Sequence, residues 1–413
     1  MKPEELSRGD RQRIESSGGT TGAIWGIELF RRRPKHGPIG VDIGTSSIKL
    51  LQFSDDAGHP AVVAAAHHQI PLSVEDPSER QAAIERALSE ALRQQPFQGR
   101  DAVSAMGISS FQMKSIRLPK MPPEELATAV EFEAKDRFDL GGQSAQFRFI
   151  VAGEVRHGNE LKQEIIVFAS PDDEVRARLE LLEACKLRPI ALDITPCAVA
   201  RSFVRYLRRA EDAQAVNVFM DVGWRGTSIV VTHGAELTFL KVIDVGGEHF
   251  SNAVAQTLSI SREEAADLRI RIMRGSGGRR AGDANPVPDD VQAAVSDAVR
   301  PLVERLARDV QLCLRYFAVT FRGQRPESLT FVGGEAHEPS LAKIVGEAVD
   351  VPCTIGHPLR GVGRLGLLGG RDRRSIQPAW TVASGLALRG SQWVKTPESH
   401  ALRNAVQVAP MAP

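Results

Sequence analysis

Residues 40–51 read Gly-Val-Asp-Ile-Gly-Thr-Ser-Ser-Ile-Lys-Leu-Leu. An apolar run meets Asp42-x-Gly44, then Thr45, Ser46 and Ser47, then a second apolar run carrying Lys49. Strand-forming stretches on both sides of such a bend predict a β-hairpin. The glycine lets the backbone approach a neighbour closely or take a positive φ. Backbone N–H groups and hydroxyls in the bend can cradle phosphate oxygens, and the acid can reach Mg2+ directly or through water. Residues 218–231 repeat the pattern as Val-Phe-Met-Asp221-Val-Gly223-Trp-Arg-Gly226-Thr227-Ser228-Ile-Val-Val. One bend of this kind is an ordinary turn. Two, each flanked by strands and followed by hydroxyl residues, point to a pair of loops gripping one polyphosphate from opposite sides.

The bulk numbers narrow the alternatives. A chain of 413 residues has room for two or three domains. Its formal net charge of +1 gives no field that would draw nucleic acid or acidic partners. The four cysteines, Cys185, Cys197, Cys313 and Cys353, show no paired spacing and read as reduced thiols of a cytoplasmic protein. The ten histidines form no metal-ligand cluster, and His67-His68 read as solvent-facing. No apolar run approaches the roughly 18 residues of a membrane span. The first residues are polar and mixed in charge, which predicts no secretory signal.

Along the chain, residues 1–37 read as a flexible tail. Within it, 23–36 set Trp25, Leu29 and Phe30 beside basic residues; an amphipathic foot on an anionic membrane and a segment packed on its own domain both fit. The basic run Arg31-Arg32-Arg33-Pro34-Lys35 lacks the aromatic platforms of a nucleic-acid arm. Strands are expected over 39–43, 48–53, 61–70 and 102–108, with a helix over 78–94. Residues 111–190 read strand, helix, strand, strand, helix, a small α+β unit set into the first lobe. The second lobe core is expected over 216–245 and 326–375, and its helical part over 246–325. Ser261-x-x-Glu264 reads as a capping box. Gly-rich residues 275–290 read as a surface loop, and Pro301 either kinks the long helix over 291–317 or marks its start. The first lobe takes 38–110, 191–215 and 376–394, and 395–413 form a second flexible tail.

The order of these parts resembles the actin-like ATPase superfamily, and within it the PilM family of type IV pilus assembly proteins and the related FtsA cell-division family. The resemblance covers roughly residues 37–392. It rests on the opening hairpin, on Leu118-Pro-Lys-Met-Pro-Pro-Glu-Glu-Leu126 with Glu131-Phe-Glu133-Ala, on Val245-Gly-Gly247 with Ser261-Arg-Glu-Glu-Ala265, and on Gly385-Leu-Ala-Leu-Arg389-Gly390. It implies a two-lobed α/β fold with an inserted α+β subdomain. It implies ATP as ligand, with Asp42, Gly44, Thr45, Ser46, Ser47 and Lys49 as the first phosphate loop. Asp221, Gly223, Thr227 and Ser228 would form the second, Asp42 and Asp221 would hold Mg2+ through water, and Gly333, Gly334 and Glu335 would lie against adenine and ribose.

Two places depart from the family. Thr195, before Pro196, stands where many relatives carry an acid, and Ala265-Ala266-Asp267-Leu268-Arg269 replaces an Ala-Glu-x-x-Lys motif that touches the nucleoside. The first removes a candidate base, so ATP binding with weak or no hydrolysis is expected. The resemblance further implies a scaffold at the cytoplasmic face of the inner membrane, within a pilus or related secretion platform. Its partner would be the N-terminal cytoplasmic peptide of a PilN-like single-span protein, docked near 117–138, alongside other platform proteins. An FtsA-like, self-associating filament former and an active ATPase or small-molecule kinase of the same fold are the alternatives.

Overall fold

The computed structural model describes residues 36–54, 59–74, 76–157, 159–276, 287–321, 325–364 and 377–394. The expected tails and most of the expected 275–290 loop lie outside the described residues.

Both Asp-x-Gly bends close hairpins. The first joins β1 (Ile39–Ile43) to β2 (Ser47–Phe53), and the second joins β9 (Val216–Val222) to β10 (Thr227–His233). Each hairpin extends by a third antiparallel strand, β3 (Val62–Gln69) or β11 (Glu236–Ile243). On the other side, each opening strand takes two parallel neighbours. For β1 they are β4 (Asp101–Met106) and β8 (Arg188–Ile194); for β9 they are β12 (Ser328–Val332) and β13 (Cys353–Ile355). The two five-stranded sheets, β3-β2-β1-β4-β8 and β11-β10-β9-β12-β13, therefore share one topology. The echo between the two sequence stretches is the trace of that repetition.

All seven residues of β2 are buried, so this strand is covered on both faces. On one face lie α1 (Pro77–Gln94) and α3 (Asp172–Ala184), whose Leu88, Ala91, Leu181 and Leu182 pack with Ile39, Val41, Ile48 and Leu50. On the other lies α9 (Thr381–Ala387), whose Ala383 and Ala387 pack with Leu51 and Phe53.

Between β4 and β8 the chain leaves the first sheet. It forms β5 (Gln112–Pro119), α2 (Pro123–Arg137), β6 (Ala145–His157) and β7 (Glu160–Pro171), a three-stranded sheet ordered β5-β7-β6. Alternation along β7 sends its side chains two ways. Ile165, Val167 and Ala169 meet Leu126, Val130 and Ala134 of α2. Ile166 and Phe168 enter a core shared with Met106 of the first sheet and with Leu237 and Leu240 of the second. The sheet is thus bonded to both lobes by its inner face.

The second lobe is completed by α5 (Gly247–Leu258), α6 (Arg262–Ser276), α7 (Asp289–Thr320) and α8 (Pro339–Val349). The capping box forms as read. Ser261 N–H donates to Glu264 Oε2 at 2.9 Å, and Glu264 N–H donates to Ser261 Oγ at 3.2 Å. Pro301 lies inside α7 rather than at its start. The strands β8 and β13 escape the sequence reading: β8 is an outer strand with no clean alternation, and β13 has only three residues. The two strands that the sequence places over 147–151 and 164–169 run longer, as β6 and β7.

The helix α4 (Thr195–Val204) crosses α9 with nothing between them. A Cβ at Gly385 would stand 1.8 Å from the Ala198 carbonyl oxygen, and Arg201 Nη1 donates to the Gly385 carbonyl at 3.2 Å. Only glycine permits that approach. Gly385→Ala should destabilise the chain by about 1–3 kcal/mol through overpacking. Urea denaturation of the variant against wild type measures this directly.

Candidate functional site

In the first hairpin, Asp42 and Lys49 are cross-strand partners, so their side chains share one face of the sheet. Lys49 Nζ lies 3.8 Å from Asp42 Oδ2 and donates to Ser47 Oγ at 2.8 Å. Gly44 N–H donates to the Ser47 carbonyl at 3.0 Å and closes the bend. Ile70 N–H donates to the Ser46 carbonyl at 2.9 Å, and Arg80 of α1 donates to the Thr45 carbonyl. With three carbonyls occupied, the bend is pinned to its own lobe.

In the second hairpin, Asp221 pairs across strands with Ser228. Gly223 N–H closes the bend on the Gly226 carbonyl at 3.0 Å. Thr227 is fully buried and donates its hydroxyl to the Val245 carbonyl at 2.7 Å, so that hydroxyl supports the loop from within. Ser228 Oγ is buried and has no hydrogen-bond partner among the described residues. Beside them, β12 runs parallel to β9 and sets Val332 next to Asp221. Gly333 follows with φ +92°, and a Cβ there would stand 2.4 Å from Asp221 Oδ1. Gly334 is exposed, while Glu335 donates its N–H to the Val222 carbonyl at 3.1 Å.

The two acids feel each other. Burial pushes Asp221 up to about 7, the Asp42 charge adds to the rise, and Lys49 opposes it. Burial also raises Asp42, against the pull of Lys49 and of Arg178. Two hairpins far apart in sequence therefore bring Asp42, Lys49 and Asp221, the acids half-buried and the lysine buried, within electrostatic reach of one another. The sequence reading missed three cations nearby. Arg178 of α3 lies within electrostatic reach of Asp42, and its Nη1 is buried without a partner among the described residues. Arg80 has its pKa lowered by burial and by the charge of Arg225, which sits in the facing bend. Arginine on a helix face is common in any sequence, so only the fold singles these out.

The donor set fits a magnesium polyphosphate. Among the described residues, no cluster of three His, Cys, Asp or Glu side chains could cage a metal by itself. Two carboxylates suit Mg2+, which retains waters and takes further oxygens from phosphate. Asp42 and Asp221 would hold the ion, Lys49 would neutralise phosphate charge, and the unpartnered Ser228 hydroxyl is a donor still to be used. The bound ion would lower the cost of keeping both carboxylates charged.

Farther along the second lobe, α6 sends Arg269 inward. It is 1% exposed, donates to Glu335 Oε2 at 2.6 Å and to Glu338 Oε2 at 2.8 Å, and stacks over Phe250 at 5.1 Å. Burial works against its charge, and the two carboxylates outweigh that, so its pKa is raised. Glu335 stands beside Gly333 and Gly334 as the sequence order requires, with its carboxylate turned to Arg269.

No free acid stands at the head of α4. Asp193, at the end of β8, is fully buried and held by Arg201 and Arg389, each at 2.7 Å. Thr195 Oγ1 is buried and unpartnered among the described residues. Its Oδ2 is occupied by both guanidinium groups, and its Oδ1 accepts the Ile194 N–H at 2.9 Å.

Removing Arg269 would strand two buried carboxylates. Arg269→Met should cost about 3–5 kcal/mol, whereas the conservative Arg269→Lys should cost less. Equilibrium urea unfolding of both variants gives the numbers.

The family model described as type IV pilus assembly protein PilM matches residues 40–391. Among solved structures, a PilM–PilN type IV pilus biogenesis complex aligns at a TM-score of 0.69 and 24% identity, covering 88% of this chain and 100% of the other. The ethanolamine utilization protein EutJ from Carboxydothermus hydrogenoformans aligns at 0.49 and 16%, over 86% and 90% of the two chains. MreB5 of Spiroplasma citri bound to ADP aligns at 0.44 and 10%, over 85% and 95%. With its family model spanning both hairpins and both sheets, the chain belongs to the PilM family of type IV pilus assembly proteins and has the two-lobed α/β fold of actin-like ATPases.

Proposed function

We propose that this protein is an ATP-binding scaffold at the cytoplasmic face of the inner membrane, in a type IV pilus or related secretion platform. The observation that carries this reading is that Asp42, Lys49 and Asp221, contributed by separate sheets, lie close enough for their charges to act on one another. A ligand that touches both hairpins stabilises the closed arrangement of the lobes by its differential affinity for that state. The three-stranded sheet packs on both lobes through Ile166 and Phe168, so lobe closure would move the surface it presents.

That surface carries the partner site in this reading. The inserted unit is taken as β5, α2, β6 and β7, shorter than the expected 111–190 because α3 packs on the first sheet and β8 joins it, and between β5 and α2 lies a groove of about 670 Å³. Leu118, Met121 and Phe132 line it, and Phe132 is 70% exposed. Glu124 and Glu125 stand exposed along the same wall. An extended apolar peptide with a basic flank, such as the cytoplasmic N-terminus of a PilN-like protein, suits both features. Hydrolysis is weak or absent in this reading, because Asp193 is held in its double ion pair and Thr195 is not an acid.

Two measurements test the parts separately. Asp221→Asn should weaken Mg-ATP binding by about tenfold or more in calorimetry. An affinity equal to wild type would remove Asp221 from the site. For the peptide, deleting 111–190 would open the shared core, so a surface change is the cleaner probe. Phe132→Asp should weaken binding of a synthetic PilN-like N-terminal peptide by about tenfold or more while leaving Mg-ATP affinity alone. Unchanged peptide affinity would reject the groove.

A further inference from the structure

The inserted sheet and α7 share an open pocket of about 420 Å³ beside β5, an outer strand of that sheet. A cavity of this volume takes a small organic ligand. Ser115 and Arg117 lie two residues apart on β5 and so project to one face. Glu164 stands opposite Arg117 on β7, with Lys162 two residues before it. Tyr316 closes the pocket from α7. Lys114 donates to the Arg137 carbonyl, which ties the end of α2 to β5 and brings Arg137 to the pocket.

The charges lining this pocket do not cancel. Glu164 is buried and accepts from Arg117 Nε at 2.6 Å, so the one acid in the lining is spent on fixing a guanidinium. Arg117 Nη2 reaches the Tyr316 hydroxyl only at 3.4 Å, longer than an ordinary hydrogen bond. Lys162 and Arg137 have their acids elsewhere. Glu160 lies 3.2 Å from Lys162 and Glu133 lies 2.9 Å from Arg137, and neither acid lines the pocket. Glu160 and Arg137 are exposed, and exposed ion pairs of this kind hold weakly, so both cations can turn to a stronger anion. Three cations thus stand against one engaged carboxylate. The Ser115 and Tyr316 hydroxyls donate to none of the described residues and add two neutral donors.

We propose that this pocket is an effector site for a small phosphate-bearing molecule with at least two negative charges. Arg117 and Arg137 offer planar forks that match phosphate oxygens, and Lys162 adds a point charge. A phosphate concentrates its charge within reach of all three cations, which a single carboxylate does not match. The ligand would touch β5, β7 and the end of α2 on one side and α7 on the other, so it would tighten a joint that Arg117 and Tyr316 make only loosely. The site shares no residue with Asp42, Lys49 or Asp221, and it stands whether or not the cleft binds a nucleotide.

The chain has two tyrosines, Tyr206 and Tyr316, so fluorine NMR of the full chain labelled with fluorotyrosine gives two resonances, which Tyr316→Phe assigns. Magnesium-free inorganic diphosphate is the probe. It should move the Tyr316 resonance saturably, with a dissociation constant of about 1 mM or tighter, and leave Tyr206 in place. Sodium chloride at equal ionic strength should move neither resonance. The double variant Arg137→Ala, Lys162→Ala should weaken the diphosphate response by about tenfold or more. Neither side chain pairs with a fully buried acid, so no buried charge is stranded, and an unmoved Tyr206 resonance reports that the fold is intact. Three results overturn the site: a Tyr316 resonance that stays in place at about 10 mM diphosphate, one that chloride moves equally, or a double variant that binds like wild type.

Discussion

Two half-buried carboxylates and one buried ammonium, contributed by two sheets, set the character of this protein. Asp42 and Asp221 do not both carry charge cheaply when partly withdrawn from water and near one another. Lys49 offsets part of the cost, and Asp221 still rises to about 7. An arrangement that unfavourable persists because the surrounding structure enforces it. Each acid sits on a central strand, and each strand is fixed by neighbours on both sides. In the proposed function, a bound cation and its anionic ligand would relieve that opposition.

The treatment of the other buried acids makes the contrast plain. Asp193 is held by two arginines, Glu335 and Glu338 share Arg269, and Glu164 accepts from Arg117 at 2.6 Å. Each of these has an ion pair of 2.8 Å or less. Asp42 has only Lys49 at 3.8 Å, and no ion pair within 4 Å is found for Asp221 among the described residues. Tightly paired acids here build the scaffold, while Asp42 and Asp221 are held more loosely. Position in the sequence does not separate the two groups; partner distance does.

The same fold explains how a distant surface can feel the cleft. The inserted sheet has one face for α2 and the exposed groove, and one face buried with residues of both lobes. Its strand β7 runs on into α3, which packs on the first sheet and carries Arg178 toward Asp42. The chain segment from β7 to α3 thus links the inserted sheet to the first lobe, the route by which the proposed lobe closure would reach the groove.

Much of this was legible in the chain. The repeated Asp-x-Gly bends announced two hairpins, the capping box announced α6, and the spacing of Val295, Val299, Val303, Leu306 and Val310 announced α7, because hydrophobic period and turn chemistry act locally. The pairing order of the strands, and with it the outer strands β8 and β13, was not legible, since β pairing joins residues distant in sequence. Nor were the partners of Arg178, Arg269 or Glu335, since a side chain's neighbours depend on which elements the fold brings together. Sequence determined which residue types flank each turn; tertiary structure decided which acids were neutralised and which were left facing each other, because charge in a buried space is governed by distance in three dimensions.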